Sequence, residues 1–203
     1  MLLPFPPARP ILWRMTQTLP TYLKHHFLIA MPHMDDPRFA HTVIYLCEHN
    51  EDGAMGLVIN QPSGLNLGDV LEQTAPELSV PRTVSDRVVF NGGPVQSERG
   101  FVLHRGPQQW ESSLDLGPLQ LTTSRDILLD MSSGSGPEDI FVALGYTGWE
   151  AGQLDQELAD NVWLSCPADY QILFELAAEQ RLDAAARHLG IDLSLLTSQA
   201  GHA

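Results

Sequence analysis

Cys47 is the residue whose type and setting most readily suggest chemistry. It lies in Thr42-Val-Ile-Tyr-Leu-Cys47, a run rich in β-branched and aromatic residues that reads as a strand. With a strand period of two, Val43, Tyr45, Cys47 and His49 point one way. An imidazole two positions from a thiol stabilises the thiolate and lowers its pKa, which suits a nucleophile or a redox sensor. The competing reading is a small buried hydrophobe, since free cysteine is among the most buried residue types. Thiol-based catalysis by Cys47 with His49 therefore stands as the alternative to a reading without catalysis. His25, His26, His33, His41 and His49 lie close in sequence, with Asp35 and Asp36 among them. No H-E-x-x-H, C-x-x-C or strand H-x-H spacing accompanies them, so we expect no metal and no cofactor. Asp35-Asp36-Pro37 reads as a turn in which Asp36 anchors the backbone.

Three further strings carry weaker signals. Asn91-Gly92-Gly93-Pro94 follows a strand, so Gly92 and Gly93 form either an anion-binding nest or a tight turn where a Cβ would clash. The string lacks the Lys-Ser/Thr of a P-loop. Gly145-Tyr-Thr-Gly-Trp149 follows an apolar strand. Tyr146 and Trp149 either cover one end of the core or offer a flat contact to a ligand or partner. Arg99 and Arg125 stand out in an acidic chain. Each suits bidentate capture of a carboxylate, with pairing to internal acids such as Asp126 as the plainer expectation.

These residues need elements to hold them. Strands are expected at 42–47, 56–60, 87–90, 100–104, 119–122, 139–144 and 162–165. The first two should form a hairpin with a longish loop. Asn66 should cap a helix over 67–73 with Asp69 at its third position. Thr123 or Ser124 should cap a helix over 125–131, and further helices are expected at 153–161, in the segment opened by Pro167, and at 181–189, where Gly190 ends the last. The alanine-rich C-terminal helices should present a core face, with self-association to a homodimer left open. Strands interleaved with helices give a mixed α/β class.

Composition narrows the function. The chain has 203 residues, 11 basic against 25 acidic side chains, and a net charge of −14, with Lys24 its single lysine. Such a charge disfavours direct capture of nucleic acid or of an anionic membrane, and no apolar run is long enough to span a bilayer. Two cysteines suit a reducing cytosol, so a cytoplasmic location is expected. Residues 1–20 are proline-rich and apolar and read as an extension to a single domain over 21–203, with Met15 an alternative start.

The strings Leu23-Lys-His-His-Phe-Leu-Ile-Ala-Met-Pro32, Tyr45-Leu-Cys-Glu-His-Asn50 and Gly53-Ala-Met-Gly-Leu-Val-Ile-Asn60 occur in order. Gly92-Gly-Pro-Val95, Arg99-Gly-Phe-Val-Leu-His104, Thr123-Ser-Arg-Asp126, Gly145-Tyr-Thr-Gly-Trp149, Asn161-Val-Trp-Leu164 and the closing Ala200-Gly-His-Ala203 follow. Together they resemble the YqgE/AlgH family of bacterial proteins over residues 21–203. The resemblance implies a bifurcated mixed β-sheet curled into a pseudo-barrel with flanking helices, in a soluble bacterial protein. It marks Asn50, Asn60, Arg99 and Arg125 as motif positions without assigning roles. Some members of the family carry the label of transcriptional regulator. No basic helix-turn-helix is legible here, so regulation is expected to act through a protein or small-ligand partner, not through DNA.

Overall fold

The computed structural model describes residues 22–77 and 80–191. The strands are β1 (His26–Ala30), β2 (Val43–Asn50), β3 (Gly53–Val58), β4 (Pro62–Asn66), β5 (Val88–Asn91), β6 (Val95–His104), β7 (Ser113–Asp115), β8 (Gln120–Thr122), β9 (Ile140–Glu150) and β10 (Trp163–Pro167). The helices are α1 (Leu67–Thr74), α2 (Arg82–Ser85), α3 (Asp126–Ser133), α4 (Gln153–Ala159), α5 (Tyr170–Phe174) and α6 (Ala178–His188). The pairing runs β10-β1-β2-β3-β9-β6-β8-β7, with a β4–β5 ladder joined to β9. Strand β9 is the fork. Its Val142–Leu144 segment pairs in parallel with β5 on one edge and antiparallel with β6 on the other. Its Thr147–Glu150 segment pairs with β3. The sheet is therefore bifurcated and mixed, and it curls round its own apolar residues as the family resemblance implied.

Alternation along the strands sorts the core into an inside and two outsides. Phe27, Val43, Tyr45, Leu57, Phe101, Leu103 and Phe141 fill the curl, closed by Ile172 and Leu173 of α5 and Ala185 of α6. Outside one arm, Val89, Val102 and Val142 are covered by Leu67 and Leu71 of α1 and Ile127 and Met131 of α3. Outside the other arm, Leu28, Ile44, Leu46, Trp149 and Trp163 are covered by Leu154 of α4. Burial of such side chains is worth about 1.5–3 kcal/mol each, which is the force that curls the sheet. Ala185 and Ala186 are fully enclosed, so that face of α6 serves the core of its own chain.

Several local expectations hold. Asn66 caps α1 in a reciprocal capping box with Asp69. Gly190 sits at φ +71 after α6, where Ile191 N–H donates to Ala186 O, the six-to-one bond of a Schellman ending. Others need correction. The β2–β3 hairpin is tight, because Asn50 pairs with Gly53 and only Glu51 and Asp52 lie between. Pro167 ends β10; the helix after it starts at Tyr170 and is capped by Asp169. At α3 neither Thr123 nor Ser124 caps: the Asp126 carboxylate accepts from Ile127 N–H and Glu111 N–H, and the Ser124 hydroxyl donates to it. Gly145-Tyr-Thr-Gly-Trp149 is the second half of β9, not a loop beyond its end.

Candidate functional site

Three ladders depart from regular register, and the departures in β2 and β6 reposition candidate residues. In β2, Leu46 pairs with Gly56 and Glu48 with Met55, so Cys47 is an extra residue. The bulge breaks the alternation that would have set Cys47 beside His49. Cys47 stays inside the curl with Phe27 and Tyr45, fully enclosed, its Sγ 3.9 Å from Tyr45 O. His49 turns outward. Its Nδ1 accepts from Leu23 N–H at 3.0 Å, and its Nε2 lies 3.6 Å from Asp155 on α4. The thiol–imidazole pair of the alternative reading is thus not formed, and Cys47 is the small buried hydrophobe of the competing one. Burial moves the Cys47 thiol far above the ordinary thiol range, with the Glu48 charge adding to it. Cys166, also buried, is pushed up to about 11. Two more of these histidines are used locally: His25 Nδ1 lies 2.8 Å from the Tyr45 hydroxyl, and His26 Nδ1 3.2 Å from Lys24 O. Among the described residues no group of three His, Cys, Asp or Glu side chains could hold a metal ion. Asp36 anchors its turn as expected, accepting from Arg38 N–H at 3.0 Å and pairing with the Arg38 guanidinium at 2.6 Å.

In β6, Val95 pairs with Tyr146 and Gly100 with Leu144, so Gln96–Arg99 form a wide excursion opposite Gly145 alone. This excursion makes one rim of an open groove of about 790 Å³. Asn50, Arg99, Tyr146 and Trp149 all line it. Arg99 is held at the rim: Nη2 donates to Thr123 Oγ1 at 2.9 Å, Nη1 to Gln96 Oε1 at 3.3 Å, and its Cζ lies 5.7 Å from the centre of the Phe101 ring. It has no carboxylate within 4 Å among the described residues. Gln96, in the left-handed region at φ +50, carries the backbone strain of the excursion. Tyr146 stands edge-on to Phe101 at 5.6 Å. Asn50 shapes the hairpin at the far end, its Oδ1 accepting from Asp52 N–H. Glu48, Asp52 and Glu150 give the groove an acidic margin.

Trp149 has two duties. It is 7 % exposed and packs at 6.1 Å, edge to face, on Trp163. Both indole N–H groups donate to one oxygen, Glu157 Oε2, at 2.8 and 2.7 Å. Glu157 was not singled out in the sequence, although its spacing from Gln153, which donates to its other oxygen, is a helical i,i+4 pair. Trp149 lines both the groove and a neighbouring cavity of about 390 Å³.

The remaining candidates lie elsewhere. Asn60 is a clamp: its Oδ1 accepts from Val43 N–H and its Nδ2 donates to His41 O, both at 2.8 Å. Gly92 and Gly93 form a close crossing with Gly145. A Cβ on Gly92 would stand 2.3 Å from Gly145 O, and one on Gly93 2.3 Å from Tyr146 O. Gly92 N–H donates to Leu144 O, so its amide is committed to the sheet. Arg125 pairs with Glu77 beside a separate apolar cavity, not with Asp126.

The groove and fork lie in a region that a family model matches. The AlgH-like model covers residues 27–194. This chain belongs to the AlgH-like family. A UPF0301 protein of Pseudomonas aeruginosa strain UCBPP-PA14 is 62 % identical over 189 residues, covering 93 % of this chain and all of the relative. The UPF0301 protein AlgH of P. aeruginosa strain PAO1 is 61 % identical with the same coverage. The solution structure of P. aeruginosa AlgH superposes with a TM-score of 0.76 over 93 % of this chain and all of that one, at 61 % identity. A crystal structure of protein DIP2367 from Corynebacterium diphtheriae, 20 % identical, matches with a TM-score of 0.66 over 86 % of this chain and 91 % of that one, and shares the fold. Among the described residues of this AlgH-like chain no helix is long and apolar enough to cross a membrane.

Proposed function

We propose that this chain is a recognition protein whose site is the groove above Phe101 and Tyr146, and that the occupant is an extended segment of a partner protein. The observation that carries the reading is the free edge of β9. Beyond Tyr146, β6 has left the ladder, and among the described residues no strand pairs with Thr147–Glu150 on the edge away from β3. Glu150 N–H on that edge is covered by Gln153 Oε1 at 3.0 Å. The two-residue period then turns the amide and carbonyl of exposed Gly148 the same way, into the groove. Strand addition to such an edge supplies affinity through main-chain bonds, and pockets for alternate side chains supply specificity. Tyr146 and Arg99 would be those specificity contacts: one aromatic surface and one guanidinium to take a carboxylate.

A thiol reaction draws no support from Cys47, which is enclosed and kept protonated. Any influence on transcription runs through the partner, because a chain of net charge −14 repels DNA. Two unpaired cysteines support a cytoplasmic setting.

Site-specific photo-crosslinking in the native host tests the proposal. A benzophenone amino acid replacing Leu114, which is 47 % exposed at the groove, should trap a discrete protein adduct. The same probe at Leu129, 43 % exposed on α3, should not. Equal adducts at both positions, or none at Leu114, refute the groove as the site.

A further inference from the structure

A further cavity, of about 470 Å³, lies where β5 and β9 meet the α5–α6 junction, and it shares no lining residue with the groove. Its inner wall is Arg181, only 6 % exposed. A guanidinium carries five N–H donors. Nε donates to Leu176 O at 3.0 Å and Nη1 to Ile59 O, which leaves three without a partner among the described residues. The Phe90 and Phe141 rings lie 4.7 and 5.5 Å from Cζ. No carboxylate lies within 4 Å of it among the described residues. Burial lowers its pKa to about 10 against the smaller opposing pull of Glu179, the mark of a cation held without a close counter-ion. Burying such a charge is costly unless something compensates it. Rings and carbonyls supply part of that compensation, and Arg181 lines the cavity with the other donors unpartnered among the described residues.

The other walls decide what would complete it. Val88, Ile140, Val142 and Leu176 are apolar, while Glu175, Glu179 and Arg87 also contribute to the lining. Arg87 is engaged with Glu138 O. Two acids beside the site oppose a multiply charged anion such as phosphate. A singly charged head with an apolar body fits both features.

We propose that this cavity binds a small monocarboxylate with an apolar body, its carboxylate paired to Arg181 and its body against Val88, Leu176 and the Phe90 and Phe141 rings. The pairing is charge-assisted and planar, the geometry in which Arg exceeds Lys.

The test is an NMR titration of the full chain with phenylacetate, using phenylacetamide as the neutral control. Phenylacetate should give saturable shifts of the Arg181 Nε–H and of the Phe90 and Phe141 rings. The amide should bind about tenfold more weakly, as loss of a charge-assisted contact implies. Arg181→Lys should weaken phenylacetate by a similar factor, with dispersed spectra confirming its fold. Should that variant unfold, Glu179→Gln decides independently: removing a repelling carboxylate should tighten phenylacetate by roughly twofold and leave the amide unchanged. Equal binding of acid and amide, shifts confined to residues outside the cavity, or no saturable shift at millimolar concentrations overturns the assignment.

Discussion

In β2 one extra residue stands between the pairs Leu46–Gly56 and Glu48–Met55; in β6 four stand between Val95–Tyr146 and Gly100–Leu144, against Gly145 alone. The short bulge is swallowed by the core. It seals Cys47 inside the curl and sends His49 to Leu23 and Asp155. The long one stays at the surface, where Arg99 rests on Thr123, Gln96 and the Phe101 ring beside a strand edge that is unpaired among the described residues. The same device, unpaired residues in a ladder, removes chemistry in one place and offers contacts in the other. The length of the excursion and what packs over it make the difference.

The contrast breaks most severely at the glycine that lets β6 depart. Gly145 sits at φ +70, and a Cβ there would lie 2.4 Å from Gly93 O. Gly145→Val should cost about 3 kcal/mol or more, read as a lowered midpoint in urea unfolding. The buried bulge is next. Cys47→Ser places a hydroxyl in an apolar enclosure and should cost about 1–3 kcal/mol, while iodoacetamide at pH 8 should leave native Cys47 unmodified by mass spectrometry and label it after unfolding. A smaller effect is pH-dependent. His104 is fully buried, with Nε2 2.9 Å from Thr122 Oγ1, and burial lowers its pKa, against a smaller opposing contribution from the Arg105 backbone; His25 is lowered mainly by burial as well. The unfolded chain therefore binds more protons just below pH ~6.5. Stability should be level above that pH and fall as pH drops through it, and His104→Gln should flatten part of the slope in unfolding titrations. Smallest on stability is Arg99→Ala. It should change the unfolding free energy by less than about 0.5 kcal/mol yet reduce the Leu114 crosslink, separating a contact residue from a scaffold residue.

How far the sequence could be read follows the range of the interactions. The capping box at Asn66 and the ending at Gly190 were legible because each is settled within a few residues. The strand at 139–144 was legible, but its continuation was not: Gly145 and Gly148 read as loop punctuation, whereas a strand crossing needed them. The pairing of Cys47 with His49 failed because a bulge is imposed by the partner strand and leaves no local mark. Strands β1, β4 and β7 lacked a clear alternating signal of their own. Arg181 was invisible for a similar reason, since its acceptor on Ile59 lies 122 residues away. In the groove, Arg99, Tyr146, Trp149 and Asn50 were each suspected separately. Nothing in the order of residues said that they would meet.

Glu157 holds the N–H of Trp149 and of Trp163 on a single oxygen. Both rings thus emit from beside one shared carboxyl oxygen, and Trp149 lines the groove. The molecule consequently contains its own optical gauge, in which a guest that displaces solvent from Trp149 registers as a change in colour and intensity of native fluorescence, with no label attached.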